Sequence, residues 1–237
     1  MKKKLVVINL VILLLALLLL GIYLFKENEY RKTDAYKFKT EYESLNGKKS
    51  NSGKTIRSLN IPKNNRMIYS TAKEIVEKIE KQDTFVVYFG FASCPWCRSM
   101  INNLISLSIE EDVDIYYVDV LDIRDLMEVQ DGKAVKVHEG DSYYMNLLDK
   151  LAEVLSDYNL VDSENKKIET NEKRIYAPNV VTIVNGMPER MVEGVSEDMK
   201  DPYGKISNKM KKDSIDQLKC IFKCLKKSNV CTKKSAC

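Results

Sequence analysis

The run Thr84–Gly90 (TFVVYFG) passes through Phe91-Ala92-Ser93 into Cys94-Pro95-Trp96-Cys97. Its β-branched and aromatic residues suit one buried strand. Met100, Ile101, Leu104 and Ile105 then recur at helical spacing. The cysteine pair therefore sits where a strand ends and a helix begins, and this constrains the chain more than any other feature. Cys94 is expected at the N-cap and Pro95 at the first helical position, which tolerates a missing N–H. Free backbone N–H groups and the positive end of the helix dipole would face the Cys94 sulfur and favour thiolate over thiol. Arg98 is a candidate for additional positive charge. Cys97 follows one turn later on the same face, able to reach back and close a disulfide. Cys94 is the candidate nucleophile and Cys97 the candidate resolving thiol, in a cycle that uses no metal and no cofactor. Placement after a strand favours this over a zinc half-site, since zinc takes four ligands, usually from two such pairs.

The flanking pattern is that of an α/β domain. Arg66–Tyr69 reads as a short strand, and Thr71-Ala72-Lys73-Glu74 is a capping box opening an amphipathic helix with Ile75 and Ile79. Val113–Leu121 is the next strand. A segment of about 122–173 follows as an insertion. In it Asp131-Gly132 marks a hairpin, and Tyr144, Leu147, Leu148, Leu151 and Leu155 make a helix over Asp141–Ser156. Val161–Arg174 is a loop or a second hairpin. Val180–Val184 is a strand that turns through Asn185-Gly186 into Glu189–Val192, and a helix opens at Ser214 and runs to Lys227. A strand–helix–strand unit followed by an antiparallel hairpin makes a mixed sheet of four or five strands with helices on both faces.

On TFVVYFGFASCPWC and APNVVTIVNGMPERMVEG the chain resembles the thioredoxin superfamily, over about Arg66 to Leu225. The resemblance implies a thioredoxin-like sheet interrupted by the insertion before the strand that a cis-proline begins. It puts Pro178, preceded by Ala177, at that proline, beside the cysteines, where it would hold an extended substrate. Pro95-Trp96 is similar to the Cys-Pro-aromatic-Cys pattern of glutaredoxins and Dsb-type oxidases. Two positions depart from the family. Ser93 stands where thioredoxins commonly have Trp, and Tyr88 stands where they often have a buried Asp that assists the second cysteine. The layout also resembles the bacteriocin-transport accessory type of thioredoxin-like protein.

Ahead of this domain, Leu5–Phe25 is apolar apart from Asn9. At about 1.5 Å per residue such a helix spans a hydrocarbon core of about 30 Å. Gly21–Lys26 offers no small-x-small cleavage site, so a transmembrane anchor over 1–25, contacting the bilayer through 5–25, is expected rather than a signal peptide. Residues 26–65 read as a polar stalk or linker with a short helix near Asp34–Leu45, 66–229 as the thioredoxin-like domain and 230–237 as a cysteine-containing tail. Lys2, Lys3 and Lys4 favour a cytoplasmic N-terminus. Six cysteines suit an oxidising compartment. The expectation is a single-pass membrane protein with an extracytoplasmic domain and a redox partner in or outside the membrane. The net charge of +4, from 38 basic and 34 acidic residues, gives little electrostatic reason for a nucleic-acid partner.

Cys220, Cys224, Cys231 and Cys237 close the chain. Ile215, Leu218, Ile221, Phe222 and Leu225 form a buried stripe on the last helix, with Cys220 and Cys224 on roughly the opposite side. Structural disulfides to the returning tail are expected, for example Cys224–Cys231 with Cys220–Cys237, and three connectivities are open. A relay thiol pair or a small metal site are the competing uses. His138 is the lone His and reads as a loop residue. Tyr116, Tyr117, Tyr143 and Tyr144 read as packing rather than a ligand cage. Two functions fit: a thiol–disulfide oxidoreductase acting on protein or peptide thiols and disulfides, or a non-catalytic accessory module that presents its insertion to a membrane transport or assembly system.

Overall fold

A computed structural model describes residues 2–226. The elements in chain order are α1 (Lys2–Tyr30), α2 (Asp34–Glu43), β1 (Met67–Tyr69), α3 (Ala72–Glu80), β2 (Phe85–Gly90), α4 (Pro95–Glu110) and β3 (Ile115–Asp119). Two hairpins follow, β4 (Leu126–Gln130) with β5 (Lys133–His138), and β6 (Ser156–Val161) with β7 (Lys167–Arg174), separated by α5 (Ser142–Leu151). β8 (Asn179–Val184), β9 (Met187–Val192) and α6 (Asn208–Lys226) complete the chain.

The sheet forms around its two most apolar strands. Every residue of β2 and of β8 is buried, so both run through the middle of the sheet, covered on each face. The strand order is β1-β3-β2-β8-β9, with β1, β3 and β2 parallel and β8 and β9 antiparallel to their neighbours. Alternation along β2 sorts its side chains between two cores. Val86 and Tyr88 face Met100, Ile101, Leu104, Leu218 and Phe222 of α4 and α6. Phe85, Val87 and Phe89 face Ile75, Ile79, Leu147 and Leu151 of α3 and α5. Burying each large apolar side chain contributes about 1.5–3 kcal/mol.

Local signals explain most boundaries. Thr71 and Glu74 form the reciprocal capping box of α3. Asp131 and Gly132, with φ of 50° and 73°, make the primed turn between β4 and β5. Asp141 caps α5 by accepting from the N–H groups of Tyr143 and Tyr144. Val161–Arg174 resolves as a hairpin arm rather than a loop. The last helix starts at Asn208, ahead of the expected Ser214. Ser214 is buried inside it and accepts a hydrogen bond from Asn103 Nδ2 at 2.9 Å, so its hydroxyl joins α6 to α4 instead of capping.

Two expectations are corrected. Among the described residues no helix is long and apolar enough to cross a membrane. This overturns the transmembrane helix over 5–25, the single-pass layout and the extracytoplasmic placement that depended on it. Within α1 the described apolar stretch Ile12–Phe25 meets Lys26, Glu27 and Glu29 in the same helix, whereas a bilayer needs about 20 consecutive apolar residues. Residues 26–65, expected as a stalk, are packed into the domain. Phe38 and Tyr42 of α2 are fully buried, as is Ile61, and all three belong to the core under α4. Glu27 pairs with Lys63 at 2.8 Å.

Candidate active site

β2 delivers the chain to the edge of the core, and Phe91–Ser93 turns it into α4. Cys94 is the N-cap, with extended backbone (φ −67°, ψ 118°), and its sulfur accepts the Cys97 N–H at 3.2 Å. Pro95 occupies the first turn, where its missing N–H has no helical partner to lose. Both cysteines are free thiols, Cys94 3% and Cys97 0% exposed. The Ala177–Pro178 bond that leads into β8 is cis, and Cys94 Sγ donates to the Ala177 carbonyl at 3.4 Å. The four residues Cys94, Cys97, Ala177 and Pro178, separated in sequence, thus meet at one point.

The two thiols are pushed apart electrostatically. The Cys97 side chain, the N–H groups of Cys97 and Trp96, and the Arg124 guanidinium hold the Cys94 thiol below its usual range, against the opposing effect of burial. Burial, with the hydrogen bond to Cys94 and the charge on it, pushes the Cys97 thiol well up, while the Tyr88 hydroxyl and the Phe91 N–H act in the other direction. The arrangement is one sulfur at a helix N-terminus whose thiolate is favoured, with a second sulfur behind it whose thiol form is favoured.

Arg98 does not supply the charge expected of it. Its guanidinium is buried and turned away, donating to the carbonyls of Arg57 (2.8 Å), Tyr42 (2.9 Å) and Ala92 (3.0 Å) and to Asn46 Oδ1 (2.7 Å). It ties the loop before Cys94 to α2 and to the segment after it. The cation near Cys94 is Arg124, which lies 5.2 Å over the Phe91 ring. No spacing in the sequence marks Arg124, because it reaches the site from the insertion. Trp96 is half-buried and, with Tyr176, Ala177, Pro178, Glu193 and Met199, lines a groove of about 330 Å³ beside the cysteines. A larger cavity of about 620 Å³ follows the other flank of α4, lined by Arg57, Asn103 and Lys211, and neither Cys94 nor Cys97 lines it.

The remaining candidates lie elsewhere. Cys220 and Cys224 are disulfide-bonded and buried. Neither belongs to the two apolar cores, whereas Leu218, Ile221 and Phe222 of the same helix do. Cys231 and Cys237, and hence the expected pairing, lie outside the described residues. His138 ends β5 and is exposed. Among the described residues, no three His, Cys, Asp or Glu side chains cluster so as to hold a metal ion. Tyr117 and Tyr144 are fully buried packing residues, and Tyr143 is exposed. Comparison of the chain with models of known protein families finds no match. Comparison with curated proteins finds none significantly similar to it.

Proposed function

We propose that the chain is a thioredoxin-like thiol–disulfide oxidoreductase acting on protein or peptide thiols and disulfides through Cys94 and Cys97. The observation that carries this reading is the Cys94 sulfur at the N-terminus of α4, accepting the Cys97 N–H, with the buried Cys97 thiol one turn behind it. The sheet order, the cis Ala177–Pro178 bond and the adjoining groove support it.

In the reducing direction the Cys94 thiolate attacks one sulfur of a substrate disulfide. The substrate S–S bond breaks, a Cys94–substrate disulfide forms, and the released substrate thiolate takes a proton from solvent. Cys97 loses its proton and attacks Cys94 Sγ. The Cys94–Cys97 bond forms as the second substrate thiolate leaves, so two electrons have moved from the cysteine pair to the substrate. The reverse sequence oxidises a dithiol, and the potential of the partner that recharges the pair sets the direction. The Ala177 carbonyl and the groove beside Trp96 offer an extended peptide a backbone acceptor and an apolar wall.

Cys94→Ser is expected to abolish dithiol-dependent exchange with a model disulfide peptide, and Cys97→Ser to accumulate the mixed disulfide, detected by mass. Exchange that survives Cys94→Ser rejects the reading. A second reading, a binding module, draws on exposed Leu126, Val135, Val137 and Val161 along the two hairpins of the insertion. It predicts that a Cys94→Ser, Cys97→Ser double variant keeps full biological function.

A further inference from the structure

The groove beside the dithiol carries charge of one sign. It adjoins Cys94, whose thiol donates to the Ala177 carbonyl at 3.4 Å, and it follows the cis Ala177–Pro178 bond. Trp96 and Tyr176 line it together with Glu193 and Glu197, and among the described residues no Lys, Arg or His does. Arg124, the cation near Cys94, is not part of its wall. Neither glutamate belongs to an ion pair among the described residues. Lys200 Nζ donates to the Glu197 carbonyl at 2.9 Å rather than to its carboxylate, and Lys209 pairs with Asp198. Glu193 is exposed to solvent, yet crowding by its surroundings holds its carboxyl above the usual range, with no cation acting against this.

The loop that carries both glutamates is fixed to α6. Gln217 brackets it, accepting the Gly194 N–H at 3.2 Å and donating to the Val195 carbonyl at 2.8 Å. Ser196 Oγ donates to Asp213 at 2.8 Å. Gly194 has a φ of 67° and lies so close to the core that a Cβ would come within 2.8 Å of Met100 and 2.9 Å of Leu218. Two carboxylates without counter-charge thus stand on an ordered loop, facing the same groove as two aromatic side chains. Opposite charge is attracted there more strongly than in open water, and a guanidinium also stacks on aromatic rings. The other flank of α4 has the reverse sign. The cavity there is lined by Arg57, Arg98, Lys211 and Lys219, with Glu110 the one acid.

We propose that the groove selects protein or peptide substrates that carry a cationic side chain, arginine above lysine, next to the reacting cysteine. This rests on the thiol-exchange reading above and deepens it by naming the substrate class. A peptide joined through its sulfur to Cys94 has its neighbouring residue at the groove, within reach of Glu193 and Glu197. Once Cys94 is in the mixed disulfide it has no S–H to donate, so the Ala177 carbonyl is free to accept a peptide N–H. The glutamates touch the substrate side chain and not the reacting sulfurs. They set specificity and take no part in the exchange itself.

The test uses the full reduced chain and three peptides of the form X-Cys-X, identical except that X is Arg, Gln or Glu. The cysteine of each is joined by a disulfide to nitrothiobenzoate. The Cys94 thiolate attacks the peptide sulfur, that S–S bond breaks, and the coloured nitrothiobenzoate thiolate leaves. Each rate is divided by the rate of the same peptide with free cysteine, which removes the peptide's own reactivity. The normalised Arg rate is expected to exceed the Glu rate roughly threefold to tenfold at low salt, with Gln between. That ratio should fall toward one in about 0.5 M salt, and also in the Glu193→Gln, Glu197→Gln double variant. Equal normalised rates, or an Arg preference that the double variant keeps, overturn the proposal. Should the double variant fail to fold, salt decides, and a preference that persists undiminished at high salt overturns it. Wild-type rates no faster than free cysteine for all three peptides, or release that survives Cys94→Ser, overturn the thiol-exchange reading instead.

Discussion

Cys94 and Cys97 are almost equally buried, 3% and 0% exposed, yet their thiols are pushed in opposite directions. The hydrogen bond from Cys97 is the largest cause that lowers Cys94 and burial the largest that raises Cys97, and position on the helix adds to the difference. Cys94, as N-cap, receives N–H groups that have no helical acceptor, while Cys97 lies fully buried inside the first turn, with the Tyr88 hydroxyl and the Phe91 N–H opposing the rise. Because the Cys94 value is lowered, its thiolate is present above that lowered value and is lost as pH falls through it. The midpoint of Cys94 alkylation should therefore fall below that of an ordinary thiol. In Cys97→Ala the midpoint should move upward, since the Cys97 hydrogen bond is the largest contribution holding it down. Mass-resolved alkylation against pH measures both. Gly90→Ala should destabilise the domain by about 1–3 kcal/mol in urea unfolding, because the added methyl meets the fixed Tyr88 ring and hydroxyl.

α2 shows where a reading from sequence stops. Its residues, Asp34–Glu43, alternate charge and aromatic side chains, and no long apolar stripe announces a core helix. What it has is Phe38 and Tyr42 one turn apart, stacked at 4.4 Å, and these reach the core. Thr33 as its N-cap and that aromatic pair were the available signals. Phe38→Ala should cost about 3–5 kcal/mol, a loss no stalk residue would produce, read as a lowered urea midpoint. In contrast β2, α3, β8 and the two Asn-Gly or Asp-Gly turns are legible, because their apolar runs, caps and positive φ are local properties. The insertion was legible as elements but not as a unit. Arg174 at the end of β7 forms a buried ion pair at 2.6 Å with Asp125, which opens the insertion. Asp125→Ala should destabilise by about 3–5 kcal/mol, since the guanidinium is left buried without its counter-charge. A double variant replacing both with apolar residues should recover much of that loss.

Across the molecule, the site was visible as a motif and its surroundings were not. Cys94, Cys97, Ala177 and Pro178 come together because β2 and β8 are neighbours in the sheet, paired from Phe85–Ile183 to Phe89–Asn179. Arg124 arrives from an insertion and Tyr42 from an N-terminal segment, and the spacing of neither carries a trace of the cysteines. The apolar N-terminal run illustrates the opposite error, where composition invited a membrane layout that no described helix supports. The domain is thus built on one five-stranded sheet with two hairpins beside it, its dithiol at the end of the central strands and backed by buried phenols. The most direct test equilibrates the full chain in glutathione buffers of graded ratio, traps thiols with a mass-tagging alkylator, and maps the peptides. Cys94 and Cys97 should change state together, in one two-electron transition that Cys94→Ser abolishes. Thiols that stay reduced at every ratio, or two cysteines that oxidise independently, would contradict the dithiol assignment.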